Sequence, residues 1–274
     1  MPKTLRITAR NARFQQWQAL LANRGKRQRE GEFLVQGVRP ITLAVQHGWQ
    51  VSTLLVADGR PLSRWADGML DAVPAARAVL AADLMRELGG KDEEAPELLA
   101  VVRRPEDRLD RIPAGPGLLA LVFDRPTTPG NIGTLVRSAD AFGADGVIVT
   151  GHAADPYDPK SVRASTGSLF AVPVVRVASH RDVLGWVSGL RDSGLPVEIA
   201  GTDERGDVAL AGYDLTGPRV VVVGNETHGL SAAWRVASDR MVRIPMTGAA
   251  SSLNAAAAGT VVLYEAARQR AAAR

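Results

Sequence analysis

The chain has 274 residues, 46% of them apolar, and contains no cysteine. This length predicts about two domains, and the lack of cysteine excludes disulfide scaffolds, Cys-ligated zinc and thiol catalysis. The net charge is only +4, yet residues 1–40 carry nine basic and two acidic side chains, so the remaining residues sum to −3. A positive charge concentrated at one end predicts docking on a polyanion, with a solvated terminus as the alternative.

Membrane and metal proteins are not expected from this sequence. No run approaches the roughly 20 apolar residues that span a bilayer, and the first ten residues lack the apolar core of a signal peptide. The histidines His47, His152, His180 and His228 lack metal-ligand spacing. We therefore expect a cytoplasmic protein with neither a membrane partner nor a metal.

Short strands alternate with helices over residues 1–102 and predict a small α/β domain. The predicted strands are 33–35, 51–57 and 98–102, and a helix is predicted over 39–47. Residues 103–117 are rich in charge, Pro and Gly without a core-forming period, which predicts a linker.

Residues 118–274 contain continuous apolar runs separated by helical segments. The predicted strands are 118–123, 146–150, 173–177, 197–201, 219–223 and 242–245. Such uninterrupted runs indicate strands that are buried on both faces, so we expect a parallel sheet covered by helices on both sides. In sheets of this kind ligands bind beyond the carboxyl ends of the strands.

The segment after the first of these strands contains Asn131 and Arg137. We expect Asn131 to cap a helix that starts there, and the long Arg137 side chain to reach back toward the mouth of the sheet. A capped helix with one surface arginine is the simpler alternative.

Three later post-strand segments are also polar. Gly224 permits a tight turn that exposes backbone amides, and Glu226 follows it just before a helix. Ser252 and Asn254 are cap-type residues at the start of the last helix, where capping alone would also explain them. The fourth segment begins at Thr202. On the last helix, Leu253, Ala257, Val261 and Tyr264 fall on one face, and the Ala-rich character of this helix favours close approach of another element.

Several common sites lack their sequence signatures. No G-x-G-x-x-G follows the first strand of the second half, no G-x-x-x-x-G-K-[ST] occurs, and no serine lies in a nucleophile elbow. A nicotinamide-dependent oxidoreductase and a P-loop NTPase are therefore disfavoured.

Three ordered motifs carry a family resemblance. N-x-G-x-x-x-R spans 131–137, V-V-G-N-E-x-x-G-L spans 222–230, and I-P-M at 244–246 is followed by S-L-N-A at 252–255. Together they resemble the SpoU (TrmH-type) branch of the SPOUT RNA methyltransferases. The two-domain layout also resembles the 23S rRNA methyltransferases of the avilamycin and thiostrepton resistance type.

The resemblance implies a fold and partners beyond those that the strand pattern predicts. Residues 118–274 would form an α/β catalytic domain with a parallel sheet, helices on both faces and a C-terminal trefoil knot. Residues 1–102 would form a small α/β, ribosomal-protein-like domain that binds the RNA substrate. The implied cofactor is S-adenosyl-L-methionine, and the implied assembly is a homodimer.

Site residues follow from the same resemblance. The implied catalytic residues are Asn131, Arg137, Glu226, Ser252 and Asn254. The implied cofactor-binding residues are Thr202, Gly224, Gly229, Ile244, Met246 and Leu253. In the basic first domain, Arg24, Lys26, Arg27 and Arg29 are the candidates for holding RNA phosphates.

The implied reaction methylates a ribose 2′-hydroxyl of ribosomal RNA, with 23S rRNA favoured and antibiotic resistance as a possible consequence. The family's usual proposal makes Arg137 the general base, but a guanidinium stays protonated at nearly all pH values. We prefer that Arg137 holds a substrate phosphate and stabilises the developing alkoxide, while Glu226 orients Arg137 or nearby amides. A housekeeping rRNA or tRNA methyltransferase, or a catalytically silent RNA-binding assembly factor, are the alternatives.

Overall fold

The computed structural model describes residues 4–90 and 95–273. The chain divides into two compact units. The first contains Met1–Pro105 and Tyr157–Ala171, and the second contains Glu106–Pro156 and Val172–Arg274.

The described residues form strands and helices that alternate along most of the chain. The strands are β1 Leu5–Ile7, β2 Glu32–Gln36, β3 Val51–Ala57, β4 Ala76–Leu80, β5 Leu98–Arg103, β6 Leu119–Asp124, β7 Gly146–Thr150, β8 Val174–Val177, β9 Glu198–Thr202, β10 Val208–Ala209, β11 Arg219–Val223 and β12 Arg240–Arg243. The helices are α1 Ala12–Ala22, α2 Arg24–Glu30, α3 Val38–Gln46, α4 Arg64–Ala72, α5 Ala82–Gly89, α6 Pro129–Ala141, α7 Pro159–Ala164, α8 Ser168–Ala171, α9 His180–Asp192, α10 Ala232–Ala237 and α11 Ala255–Ala272.

The first unit is built on a five-stranded sheet in the order β1-β4-β3-β5-β2. Strand β5 runs antiparallel to both of its neighbours, and the remaining pairs are parallel. Strands β2, β3 and β5 confirm the three predicted strands, and α3 confirms the predicted helix to within one residue at each end. Strand β1 was not predicted, because three residues with one buried side chain are too short to show a period.

A segment from the middle of the chain packs into this first unit. Tyr157 lies with its ring centroid 4.9 Å from that of Phe33, and Phe170 lies 5.1 Å from Trp49. The indole nitrogen of Trp49 also donates to the carbonyl oxygen of Phe170 over 3.0 Å. These long-range aromatic contacts place 157–171 in the first unit, whereas the predicted boundaries kept that segment in the second domain.

The second unit confirms the predicted parallel sheet covered by helices. Its seven strands lie in the order β10-β12-β9-β11-β6-β7-β8, and every neighbouring pair is parallel. All residues of β6, β7 and β11 are buried, as their uninterrupted apolar character predicted. Because the pairs are parallel, the segments after β6, β9, β11 and β12 emerge at one edge of the sheet.

Helix α11 packs closely against α6 in this unit. A Cβ atom at Gly259 would lie 2.5 Å from a methyl carbon of Leu135, so a larger residue there would displace Leu135 and glycine permits the close approach. The hydroxyl groups of Ser138 and Thr260 are 2.7 Å apart across the same contact. The contact with α6 lies mainly on a different face of α11 from the one that carries Ala257, Val261 and Tyr264, since Val261 and Tyr264 are exposed.

Candidate active site

A cavity of about 530 Å³ lies at the carboxyl ends of β9, β11 and β12. The six residues predicted to bind a cofactor come from three separate segments and all line this cavity. They are Thr202, Gly224, Gly229, Ile244, Met246 and Leu253. The volume lies within the range of about 300–1,000 Å³ that small-molecule sites occupy.

The cavity wall combines apolar and charged groups. Val223, Ile244, Met246 and Leu253 contribute aliphatic surface, while the segment after β9 and helix α10 contribute charged side chains. The charged lining residues include Asp203, Glu204, Arg205 and Arg235. Such a wall suits a ligand that has both an apolar portion and charged groups.

The loop after β11 turns back on itself very tightly. The backbone groups of Asn225 and Gly229 exchange two hydrogen bonds of 3.0 Å. A Cβ atom at Gly224 would lie 2.4 Å from both the carbonyl carbon of Gly229 and the nitrogen of Leu230. Only glycine therefore fits at position 224, which is the requirement that the sequence predicted for a tight turn.

Asn225, which the sequence analysis did not single out, holds this loop in shape. Its side chain is buried, and its Oδ1 atom accepts hydrogen bonds from the backbone nitrogens of Thr227 and His228. Its Nδ2 atom donates to the carbonyl oxygen of Arg125 over 2.6 Å. The Gly-Asn pair that follows β11 could have predicted this role, because an asparagine side chain readily accepts hydrogen bonds from backbone groups two residues further along the chain.

The sequence analysis also missed Asp124, which joins the loop after β6 to the loop after β11. This aspartate is 3% exposed at the end of β6. Its carboxylate accepts hydrogen bonds from the Ser231 backbone nitrogen, the Thr150 hydroxyl and the Arg125 side chain, at 3.0–3.2 Å. Its position at the end of an otherwise apolar strand could have identified Asp124 in the sequence, since a buried carboxylate needs hydrogen-bond partners.

Glu226 links the loop after β11 to the start of α6. Its Oε2 atom accepts from the backbone nitrogen and hydroxyl of Thr127, and its Oε1 atom accepts from the Thr128 backbone nitrogen and from Asn131 Nδ2. Asn131 Oδ1 in turn accepts from Asn254 Nδ2 over 3.3 Å. Three of the five predicted catalytic residues thus form one hydrogen-bonded chain, which we call the Glu226–Asn131–Asn254 chain.

The Glu226 carboxylate is stabilised in its ionised form. Burial would raise the pKa of this group, but hydrogen bonds from the Thr127 backbone, from its own backbone, from Asn131 and from Thr128 together hold the pKa below its ordinary value of 4.5. Because both oxygens already accept two hydrogen bonds, Glu226 is suited to orienting its neighbours rather than to transferring a proton.

Glu226→Gln is expected to destabilise the protein at neutral pH and to make little difference in acid. The depressed pKa of the wild-type carboxylate gives stability that is present above its ordinary value of 4.5 and is lost as pH falls through the folded-state pKa. Chemical unfolding of both proteins from pH 7 to pH 3 measures the difference. A gap in the free energy of unfolding that is constant over this range would contradict the ionised role.

The other two predicted catalytic residues lie outside this chain of hydrogen bonds. Ser252 is exposed and lines the cavity. Arg137 is exposed on α6 and makes no hydrogen bond to Glu226 in the described part of the chain. Glu226 was expected to orient either Arg137 or nearby backbone amides, and the structure shows its contact with the amides of Thr127 and Thr128. Residues six apart on a helix point about 120° apart, which separates Arg137 from Asn131.

The expected cap at Asn131 is wrong. Helix α6 begins at Pro129 after Thr128, so Asn131 lies in the first turn and its side chain is free to bind Glu226. Pro126, Thr127 and Thr128 precede this helix and Pro129 begins it, and the sequence alone does not fix which of these residues is the first in the helix. Asn254 does cap α11, because its Oδ1 atom accepts from the backbone nitrogens of Ala256 and Ala257.

The four predicted RNA-binding residues lie on α2 in the first unit, but they are not equivalent. Arg29 is exposed, while Arg24 and Lys26 are half-buried. Arg27 is only 2% exposed, and its guanidinium donates to the carbonyl oxygens of Leu20 and Leu21 over 2.7 and 3.2 Å. The prediction that Arg27 holds an RNA phosphate is therefore wrong, because the side chain is buried as a structural bridge.

Neither a metal cluster nor a membrane span emerges from the parts of the chain that the structure describes. Within residues 4–90 and 95–273, no group of three or more His, Cys, Asp or Glu side chains has an arrangement that could hold a metal ion. No helix in those ranges is long and apolar enough to cross a membrane.

Comparison with protein families places the chain among RNA-modifying enzymes. The SpoU L30e-like domain matches residues 11–100, and the SpoU rRNA Methylase family matches residues 118–264. The fold and the site thus define a SpoU-type protein, and the chain belongs to the SpoU rRNA Methylase family.

Individual relatives extend this similarity over the whole chain. The 23S rRNA (uridine(2479)-2′-O)-methyltransferase of Streptomyces viridochromogenes is 59% identical over 269 residues, covering 98% of this chain and 94% of the relative. The crystal structure of the SpoU methyltransferase AviRb from the same organism, in complex with the cofactor AdoMet, superposes with a TM-score of 0.93 at 59% identity, covering 97% of this chain and 100% of that one. An AdoMet-bound rRNA methyltransferase from Sinorhizobium meliloti has a TM-score of 0.86 at 27% identity, covering 97% and 98%.

Proposed function

We propose that this protein transfers the methyl group of S-adenosylmethionine to a ribose 2′-hydroxyl of 23S rRNA. The observation that carries the proposal is the Glu226–Asn131–Asn254 chain, because it adjoins a cavity of suitable size and chemistry. The relative of 59% identity, which is named for this reaction, supports the choice of substrate.

The cavity fits the proposed cofactor. S-adenosylmethionine has an adenosine portion with apolar ring faces and a methionine portion with a carboxylate, an ammonium group and a sulfonium. The aliphatic side chains of Val223, Ile244 and Leu253 suit the first portion, and the charged residues of the wall suit the second. Thr202, Gly224, Gly229, Ile244, Met246 and Leu253 would hold it, in part through backbone groups that the glycines leave accessible.

The cofactor supplies a methyl group on a positively charged sulfur, and in the reaction a bond forms from that carbon to the ribose oxygen as the sulfur–methyl bond breaks. The protein has to orient the hydroxyl and favour loss of its proton. Asn131 and Asn254 offer amide groups to the ribose, and Glu226 fixes Asn131 for this task. Ser252, at the cavity wall, adds a further hydroxyl.

Arg137 acts on the substrate rather than as a base in this proposal. A guanidinium group is a poor proton acceptor, so Arg137 is not suited to removing the ribose proton. It is exposed on α6, where it can hold a substrate phosphate and stabilise the developing alkoxide. The bound phosphate or a water molecule then accepts the proton.

The proposal is tested by offering methyl-labelled S-adenosylmethionine with separate pools of 23S rRNA, 16S rRNA and tRNA. Label in the 23S pool is expected. Label in 16S rRNA or tRNA would instead support a housekeeping methyltransferase. Calorimetric binding of the cofactor without label in any pool would support an RNA-binding assembly factor that does not catalyse.

Arg29 and Arg27 provide a matched test of RNA binding by α2. Because Arg29 is exposed, Arg29→Gln is expected to weaken RNA binding. The slope of the logarithm of the affinity against the logarithm of the salt concentration should fall by about one, which corresponds to the loss of one phosphate contact. Arg27→Gln is expected instead to destabilise the fold by about 2–4 kcal/mol, because it leaves buried carbonyl oxygens without donors. Filter binding at several salt concentrations and chemical unfolding measure both effects. An unchanged salt slope for Arg29→Gln would contradict the proposed RNA surface.

A homodimer is part of the proposal, and an exposed apolar stripe on α11 supports it. Leu253, Ala257, Val261 and Tyr264 are exposed on one side of the helix and its preceding loop. The Tyr264 ring contacts Phe142 at the end of α6, with centroids 5.8 Å apart. An apolar stripe of this kind is typical of a protein–protein interface.

Val261→Glu is expected to turn the dimer into a monomer and to abolish methyl transfer. A carboxylate in the middle of the stripe would be buried without a partner in the dimer but solvated in the monomer. Light scattering after size-exclusion chromatography measures the mass, and Arg181→Glu, which introduces a carboxylate at an exposed position on α9 away from the stripe, is the control. A wild-type protein that is monomeric at micromolar concentration would contradict the proposal.

The proposal also includes the C-terminal trefoil knot and a cytoplasmic location. The knot is proposed from the family to which the chain belongs. The end of α11 is held by the Arg270 side chain, which donates to the carbonyl oxygens of Leu118, Leu215 and Gly217. These contacts fix the chain end among the segments that enter β6 and β11.

Protection of the ribosome against an antibiotic is the proposed biological consequence. Expression of the protein in a sensitive host would then raise the concentration of that antibiotic needed to inhibit growth.

A further inference from the structure

An ion pair joins two walls of the cavity. The Nη2 atom of Arg235, on α10, lies 2.5 Å from Oδ2 of Asp203, in the segment after β9. The other carboxylate oxygen of Asp203 accepts from the Arg205 backbone nitrogen over 2.9 Å. The Asp203 side chain is 9% exposed and that of Arg235 is 47% exposed. Asp203 is therefore fixed in place, and it fixes one end of the Arg235 guanidinium.

The rest of the Arg235 guanidinium remains available to a ligand. A guanidinium has five N–H donors, and the ion pair with Asp203 involves one of its nitrogen atoms. That nitrogen lies 3.9 Å from where a Cβ atom would stand at Gly229, so the group sits beside the tight loop after β11. Both Arg235 and Gly229 line the cavity.

The other basic side chains of the cavity wall are placed differently. Arg205 has a side chain that is 87% exposed and lies 3.6 Å from the Glu204 carboxylate. The His228 ring lies with Nδ1 3.3 Å from the Asn225 side-chain oxygen, in the loop that Asn225 organises. Among the described lining residues, Arg235 is thus the arginine that a largely buried carboxylate holds in one orientation.

We propose that Arg235 binds the carboxylate of the methionine portion of the cofactor, with Asp203 as the residue that positions it. This inference rests on the proposed function. The carboxylate is the anionic group of S-adenosylmethionine, and a guanidinium can bind it through two parallel hydrogen bonds. Because Asp203 holds the guanidinium beforehand, little side-chain entropy is lost on binding.

The test compares two ligands that differ by one carboxylate. S-adenosylhomocysteine retains this group, whereas its decarboxylated analogue, S-adenosyl-3-thiopropylamine, lacks it. Calorimetry is expected to show that Arg235→Gln weakens S-adenosylhomocysteine binding about tenfold or more and leaves the affinity for the analogue unchanged. Arg240→Gln, which alters an exposed arginine on β12 that is not among the lining residues, is the matched control and should leave both affinities unchanged.

Three results would overturn this inference. These are equal weakening of both ligands by Arg235→Gln, no weakening of either, and weaker RNA binding with unchanged S-adenosylhomocysteine binding. Should Arg235→Gln fail to fold, Arg235→Lys provides a second variant, in which loss of the paired donors should still selectively weaken S-adenosylhomocysteine. If the wild-type protein bound neither ligand, the proposed function itself would fail. That result differs from the failure of this inference alone, in which the wild-type protein binds S-adenosylhomocysteine and Arg235→Gln does not change the affinity.

Discussion

Gly224→Ala is expected to lower the affinity for S-adenosylmethionine by about 100-fold or more, and to destabilise the fold by about 1–3 kcal/mol. The added methyl group would lie 2.4 Å from backbone atoms of Gly229 and Leu230, which cannot move like the end of a side chain. Relief of this clash would require the Asn225–Gly229 backbone pair to separate. The loop that forms one cavity wall would then lose its shape.

Calorimetry and thermal unfolding of Gly224→Ala measure both effects. Gly248→Ala is the matched control, because a Cβ atom at Gly248 would meet nothing within 4 Å in the loop before α11. An affinity close to that of the wild-type protein for Gly224→Ala would show that this loop does not form the cofactor site.

Arg137→Ala is expected to lower kcat by about 100-fold or more while leaving cofactor affinity unchanged. Loss of one charged group that stabilises a developing oxyanion typically has an effect of this size. Arg137 is not among the residues that line the cavity, so cofactor binding has no reason to change. Arg137→Lys should remain well below the wild-type rate, because an ammonium group cannot bind a phosphate through two parallel hydrogen bonds.

Single-turnover methyl transfer to saturating RNA separates the chemical step from substrate binding for these variants. Arg181→Lys, at an exposed position on α9, is the control for a general effect of replacing a helical arginine. Near-normal turnover of Arg137→Lys would contradict both a role as base and a role in paired hydrogen bonding to phosphate.

The sequence predicted the parallel sheet and the edge at which its polar loops gather. Uninterrupted apolar strands require burial on both faces, and the carboxyl ends of parallel strands meet at one edge. Loops that are far apart in the chain, such as those containing Thr202, Gly224 and Met246, therefore come to line one cavity. The tight turn at Gly224 could be predicted in the same way, from local backbone chemistry.

Features that depend on long-range packing were not predictable. Arg27 resembles its basic neighbours on α2 in sequence, and only the fold shows that it turns inward to carbonyl oxygens of α1. Asn131 was expected to cap α6 because capping is a local signal, whereas its partner Glu226 is 95 residues away. Asp124 and Asn225 likewise act by joining loops from separate strands.

The most direct measurement identifies the chemical position of the transferred methyl group. After reaction of 23S rRNA with methyl-labelled S-adenosylmethionine, alkaline hydrolysis cleaves each linkage that has a free 2′-hydroxyl and spares a linkage whose 2′-oxygen is methylated. The proposed function predicts that the label is recovered in one alkali-resistant dinucleotide. Label recovered in mononucleotides, or no label in the RNA, would contradict ribose methylation by this protein.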